Sequence, residues 1–195
     1  MLKNAAPSLR SYLNGFAKLL AKIDPREVQA LADGIAGAYR DGRTVFLIGN
    51  GGSGSAASHF CEDLGKGTLV DFERQKRLKV MSLTDNAPYI LAWANDVGYD
   101  CIFSEQLKNL ARAGDLLVAI SGSGNSPNVL KAVEYAHAIG MRTFGITGFD
   151  GGKLRKMAQR SLHVPSFNMG AVEAAHAVVF HYLLDTLRER FRPAP

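Results

Sequence analysis

Over residues 8–22 the apolar positions fall at Leu9, Tyr12, Leu13, Phe16, Leu19 and Leu20, a spacing that predicts an amphipathic helix with Ser8 as its N-cap. Asp24-Pro25-Arg26-Glu27 then places an acid at the cap, a proline at the first helical position and a glutamate three residues on. That order predicts a second helix, opened by a capping box and running to about residue 40. Beyond it the period changes. Residues 44–48 form a short apolar run that ends in Gly49-Asn50-Gly51-Gly52-Ser53, after which small residues lead into a helical stretch over 56–64. The same order recurs at 115–120, with the loop Ser121-Gly122-Ser123-Gly124-Asn125-Ser126 and a helix over 127–139. Between the two units lie a predicted strand at 78–83 and helices at 87–94 and 101–112. Strands at 142–147 and 161–165 flank a short helix at 151–159, and 170–192 reads as a long closing helix before Pro193-Ala194-Pro195.

Five strands alternating with helices predict an α/β fold, a three-layer, doubly wound parallel sheet preceded by two leading helices. One domain over 1–195 is expected, divided into N-terminal helices (1–42), a sheet core (43–169) and a C-terminal helix (170–192). Ligands of such sheets bind at the carboxyl ends of the strands, where both serine-glycine loops fall.

Composition narrows the classes further. The chain has 195 residues, 47% hydrophobic and 21% charged, enough for a well-buried core. Its net charge of +5 comes from 23 basic residues interleaved with 18 acidic ones, which favours small phosphorylated ligands over nucleic acid. The densest basic stretch, Glu73-Arg74-Gln75-Lys76-Arg77-Leu78-Lys79, lacks interleaved aromatics and reads as a solvated loop. Cys61 and Cys101 have no metal or disulfide spacing, Met1-Leu2-Lys3-Asn4-Ala5-Ala6-Pro7 has no long apolar core, and no segment is apolar enough for a membrane span. A soluble, cytoplasmic protein with no membrane partner is the expectation.

A phosphate needs several donors converging on a small anion, and backbone N–H groups at the start of a helix supply them with the positive end of the helix dipole. In the second loop the hydroxyls of Ser121, Ser123 and Ser126 add donors, and no Walker-type lysine is present, which points to a monophosphate. Neither loop reads GxGxxG, so a dinucleotide site is disfavoured. Either loop alone is as readily an ordinary tight turn; two in one small sheet favour phosphate binding.

Several motifs in order, Gly49-Asn50-Gly51-Gly52-Ser53 with His59-Phe60, Ala94-Asn95-Asp96 with Gly98, Ile120-Ser121-Gly122-Ser123-Gly124-Asn125-Ser126, and Thr147-Gly148 before Gly151-Gly152, resemble the phosphoheptose isomerase branch of the SIS family over residues 8–190. The resemblance implies a flavodoxin-like five-stranded sheet and a homotetramer with active sites at subunit interfaces. It implies conversion of sedoheptulose 7-phosphate to D-glycero-D-manno-heptose 7-phosphate, and it makes Asn50, Gly51, Gly52, Ser53, Asn95, Asp96, Ser121, Gly122, Ser123, Ser126 and Glu173 substrate contacts.

Moving a proton between adjacent carbons needs a base, with an acid or a metal to stabilise the oxyanion. His59 and Asp63 are four apart and share a helix face; Glu173 and His181 are eight apart, offset by about 80° on theirs. These four could form a tetrahedral site for one Zn2+ per subunit. The resemblance places them on the family's metal and catalytic positions, with Asp63 as base and His181 as acid or second base. Two of them depart from the pattern, since the family usually has glutamate at Asp63 and glutamine at Glu173. Glu62 could replace Asp63 as the functional acid only with the helix rotated by about 100°, His176 is a rival ligand, His137 and His163 belong to no constellation, and Trp93 reads as packing. A different class, a non-catalytic SIS tetramer that displays a surface to a replication-initiator-type partner, typically lacks the acid and histidine at Asp63 and His181. A sugar-phosphate sensor would need a DNA-binding helical domain, for which the leading helices are too few.

Overall fold

The computed structural model describes residues 7–193; the N-terminal segment Met1–Ala6 and the last two residues of the Pro-Ala-Pro tail lie outside the described residues. Helices α1 (Leu9–Leu20) and α2 (Pro25–Asp41) lead into β1 (Thr44–Gly49) and α3 (Gly51–Glu62). β2 (Lys79–Ser82), α4 (Ala87–Asp96), α5 (Ile102–Leu110), β3 (Leu116–Ser121), α6 (Pro127–Ala138), β4 (Arg142–Thr147), α7 (Gly152–Met157), β5 (Arg160–His163) and α8 (Met169–Phe191) follow. The strands form one parallel sheet in the order β2-β1-β3-β4-β5, so the chain reverses its direction of travel between β1 and β3.

Both faces of the sheet are buried, and alternate residues of each strand serve alternate cores, as a period of two requires. Val45, Leu47, Leu116, Val118 and Ile120 pack under α2, α3 and α8, where Phe60 and Phe180 stack at 4.3 Å. Phe46, Ile48, Leu117 and Ala119 pack under α5 and α6 through Ile102, Phe103, Val129 and Val133. The basic stretch 73–79 forms the exposed connection into β2, with Gln75 and Leu78 alone turned inward.

Ser8 and Asp24 cap α1 and α2 through their side chains. The capping box at α2 is not completed. Glu27 instead accepts the His163 N–H at 2.8 Å, so its carboxylate satisfies a donor of edge strand β5 rather than the N-terminus of its own helix. The second departure matters for function. α3 stops at Glu62, and Asp63–Gly67 continues as a π turn. A side chain at Gly67 would stand 2.9 Å from Leu184 of α8, and one at Gly65 3.2 Å from Val80 of β2. The widened turn is thus wedged between β2 and α8, and two glycines make the approach possible. Residues 99–101 form a single 3-10 turn before α5, which ends at Leu110 because Ala111 is extended. Asp115, buried at the foot of β3, ties this connection down by accepting the N–H groups of Thr44 and Arg112, each at 2.9 Å.

Candidate active site at the switch between β1 and β3

The loops after β1 and β3 stand side by side at the carboxyl edge of the sheet, where the strand order reverses. Between them is a cavity of about 180 Å3 lined by Asn50, Ser53, Ser121, Gly122, Ser123, Ser126, Met169 and Glu173. Both helices that open here lack their own caps. Asn50 precedes α3 and Ser126 precedes α6, and neither side chain accepts a hydrogen bond from its helix. N-cap side chains ordinarily satisfy free first-turn N–H groups. At Ser126 the hydroxyl lies instead 3.3 Å from that of Ser121. The uncapped N-terminus of α3, the dipole end of α6, whose Val129 N–H is taken by Asn128, and a cluster of hydroxyls therefore converge on one small volume, an arrangement suited to an anion. Gly124 makes the second loop possible, because it takes φ +66° and a side chain there would run into the Gly151 carbonyl.

Glu173 enters the same cavity from α8. A side chain at Gly52 would collide with its carboxylate, which fixes the glycine there and places the acid against the N-terminus of α3. The positive helix end gives that orientation its physical cause.

Toward the end of α3 and in the π turn that follows, a second constellation forms. His59 Nε2 and His181 Nδ1 each lie 3.6 Å from Asp63 Oδ2, and the two imidazoles meet edge to face at 5.2 Å. One donor atom from each of the three residues lies within 4.8 Å of the others. The Asp63 side chain is 13% exposed whereas His59 and His181 are more than half exposed, so the carboxylate is recessed between two rings that face outward. The π turn that begins at Asp63 packs against Leu184, one turn beyond His181, and so holds the acid to α8. π turns inside helices frequently mark functional sites. Two imidazoles and a carboxylate are a donor set suited to zinc, and three protein ligands leave a coordination position open.

The expected fourth ligand, Glu173, is not brought into this cluster. Its carboxylate lies at the α3 N-terminus, and the backbone rise along α8 from Glu173 to His181 is about 12 Å at 1.5 Å per residue. Glu62 is exposed and outside the cluster, because successive helix positions diverge by about 100°. His176 is likewise no ligand: it is 1% exposed and its Nε2 is 3.3 Å from the Thr147 carbonyl oxygen. Burial pushes its pKa down to about 4, so it is neutral. His163 and His137 bond the hydroxyls of Thr147 and Thr143, at 3.1 and 2.8 Å. Burial also lowers the pKa of His163.

Asn95 and Asp96 end α4, exposed and bonded to each other at 2.8 Å, and neither lines the cavity between the loops. Their neighbour Tyr99 does reach the loops, donating its hydroxyl to Asn50 Oδ1 at 3.1 Å. Trp93 packs against the α5 side of the core, as expected of it. Sequence reasoning missed Tyr99 and Asn128; the signal for Asn128 was a polar amide set directly behind the helix-opening Pro127.

The parallel sheet and the paired phosphate-type loops at its switch point define a class of doubly wound α/β proteins that hold phosphorylated ligands at helix N-termini. The family model described as SIS domain matches residues 11–148. The phosphoheptose isomerase of Pelobacter propionicus is 33% identical over 190 residues, covering 97% of this chain and 98% of that protein. That of Geobacter sulfurreducens is 35% identical over 94% of each chain. The solved phosphoheptose isomerase from Francisella tularensis superposes with a TM-score of 0.85 at 31% identity, covering 93% of this chain and 96% of that one. The chain belongs to the SIS domain family, and within it to the phosphoheptose isomerases.

Proposed function

We propose that the chain interconverts sedoheptulose 7-phosphate and D-glycero-D-manno-heptose 7-phosphate. The observation that carries this reading is the pairing of an anion-ready cavity with the His59–Asp63–His181 cluster along the same two helices, α3 and α8. From Glu173 to His181 the rise along α8 is about 12 Å. An extended seven-carbon chain spans roughly 10 Å from phosphorus to C1 at ordinary single-bond lengths. A phosphate between the loops therefore leaves C1 and C2 near the cluster.

In this reading the N–H groups and hydroxyls of the loops after β1 and β3 bind the phosphate and fix the substrate's far end, so that binding energy orients the reacting end. Gly51, Gly52 and Gly122 let the backbone approach, and Ser53, Ser121, Ser123 and Ser126 donate. Asp63 carries the proton between C1 and C2, and its recessed position keeps water from its oxygens. His181, more exposed, moves the proton between O1 and O2. His59, Asp63 and His181 would hold a zinc ion, which when bound would polarise the substrate oxygens and stabilise the enediolate's charge. Glu173 is the candidate for a fourth ligand only after leaving the loop cavity.

Outward-facing His59 and His181, with exposed Val178 and Tyr182 beside them on α8, support a homotetramer whose sites are completed at subunit interfaces, where Asn95 and Asp96 of another copy would contact the sugar. No helix of the described residues is long and apolar enough to cross a membrane, and the two free cysteines support a cytoplasmic location. The non-catalytic partner-binding reading is not favoured, because the acid and histidine it typically lacks are present and clustered.

The test is incubation of the purified chain with sedoheptulose 7-phosphate, with added zinc and after chelation, following aldose formation against an Asp63→Ala control. Turnover that is lost on chelation and in the variant supports the assignment. Turnover unchanged in Asp63→Ala would remove the cluster from the mechanism, and none in the unsubstituted chain with zinc would remove the substrate.

A further inference from the structure

Asn50 and Asn128 exchange a reciprocal pair of amide hydrogen bonds, Asn50 Nδ2 to Asn128 Oδ1 at 2.9 Å and Asn128 Nδ2 to Asn50 Oδ1 at 2.8 Å. The Val129 N–H also donates to Asn128 Oδ1, at 2.9 Å. A backbone donor there dictates which way the Asn128 amide faces, and the reciprocal geometry then dictates Asn50. The Tyr99 hydroxyl adds a second bond to Asn50 Oδ1 at 3.1 Å. Asn128 is 1% exposed. Lys131, one helical turn after Asn128, pairs with Asp100, the neighbour of Tyr99.

These contacts change what Asn50 does. Its carbonyl oxygen takes two donors and its amide faces Asn128, so its side chain is committed to protein partners and its loop meets a ligand through the backbone. The same contacts explain why α3 has no side-chain cap, since the residue at its cap position is turned sideways into α6.

We propose that Asn128 is a positioning residue, which with Asn50 and Tyr99 holds the loop after β1 at a set distance from the loop after β3. Two helix N-termini act on one anion only when their N–H groups point at the same volume, and displacing one by an ångström removes half of the donors. No covalent bond and no strand pairing beyond Gly49–Ile120 joins the two loops; the amide pair is the next link outward from the sheet. Tyr99 brings the connection between α4 and α5 to the same point, so that it and the two loops share one anchor. The proposal rests on the assignment of the cavity to phosphate.

The experiment measures binding of inorganic phosphate by isothermal titration, and KM and kcat for sedoheptulose 7-phosphate, on the full chain and on Asn128→Ala, Asn50→Ala, their double variant and Tyr99→Phe. In Asn128→Ala, phosphate Kd and KM rise about tenfold while kcat changes less than threefold; the double variant is no worse than either single one, because each breaks the same pair. Tyr99 is largely exposed, so Tyr99→Phe keeps the fold, and its Kd rises about threefold. A purely structural role would lower the melting temperature and leave phosphate Kd alone. If Asn128→Ala does not fold, Asn50→Ala and Tyr99→Phe decide. Phosphate binding within twofold of the unsubstituted chain in the folded variants, or losses that multiply in the double variant, overturns the clamp alone. Absence of phosphate binding by the unsubstituted chain overturns the phosphate assignment and the clamp with it.

Discussion

Among the described residues Glu173 is the one acid lining the cavity between the loops, and its removal as a charge should tighten phosphate binding. Two unit charges about 4 Å apart repel by ~1 kcal/mol in water and ~4 kcal/mol at the effective dielectric of a protein surface. Glu173 is half-buried and the cavity opens to solvent, so the lower part of that range applies. About 1.4 kcal/mol, or tenfold in Kd, is the expected gain for Glu173→Gln, which keeps the side chain's shape and one acceptor. Salt separates this cause from repacking, because an electrostatic gain shrinks as the Debye length falls to about 3 Å at 1 M. Titration of inorganic phosphate into both proteins at low and high sodium chloride is the assay. Equal or weaker binding by Glu173→Gln at low salt would refute the placement of the carboxylate beside the anion. A gain that persists undiminished at 1 M salt would refute its electrostatic origin.

Three further outcomes are expected. Gly124→Ala, which forces a side chain into a left-handed backbone and against the Gly151 carbonyl, should cost 2 kcal/mol or more in denaturant unfolding, roughly, and a change below about 0.5 kcal/mol would contradict the loop geometry. His176 has its folded pKa lowered to about 4 from 6.5, so between those values the unfolded chain binds a proton that the folded chain does not. The stability this group contributes is complete above 6.5 and lost as pH falls toward 4, up to roughly 3 kcal/mol, and His176→Gln should remove that part of the slope in urea titrations. Asp63→Asn should release zinc in a dialysis and metal-content assay, whereas Glu173→Gln should retain it; the reverse ranking would place the fourth ligand ahead of the recessed one.

Elements set by side-chain pattern were legible in the sequence. Ser8, Asp24 and Pro25 marked helix starts that the structure keeps, and the continuous apolar runs at 44–48 and 115–120 marked β1 and β3. What escaped depended on contacts between distant segments. Glu27 has the spacing of a capping box, but the His163 N–H, 136 positions away in sequence, competes for the same carboxylate and wins. The π turn at Asp63–Gly67 has no propensity signature; it follows from the narrow gap between Val80 and Leu184, visible only once β2 and α8 are in place. Glu173 and His181 share a helix face, which made one metal site conceivable, yet face alone does not decide which way a carboxylate swings along the helix. The N-terminus of α3 decides it, and that is a tertiary neighbour.

The same neighbours explain why a site of this kind sits at the β1–β3 switch and nowhere else in the sheet. Four of the other helices are secured by their own N-cap side chains, Ser8, Asp24, Asn86 and Asn168; α7 has no such cap but donates the Gly152 and Lys153 N–H groups to Asp150 and Asn125, and α5 follows directly on a 3-10 turn. At α3 and α6 the residues in those positions, Asn50 and Ser126, are of types that cap well and do not cap here. A missing side-chain cap costs about 1 kcal/mol. At α6 the loss is partial, because Pro127 has no N–H and Asn128 Oδ1 takes that of Val129; at α3 it is complete, a local weakness where the sheet topology opens a crevice. An anion that takes the free N–H groups of α3 recovers that cost as binding energy, so the stability withheld from the free protein becomes part of the affinity for its ligand.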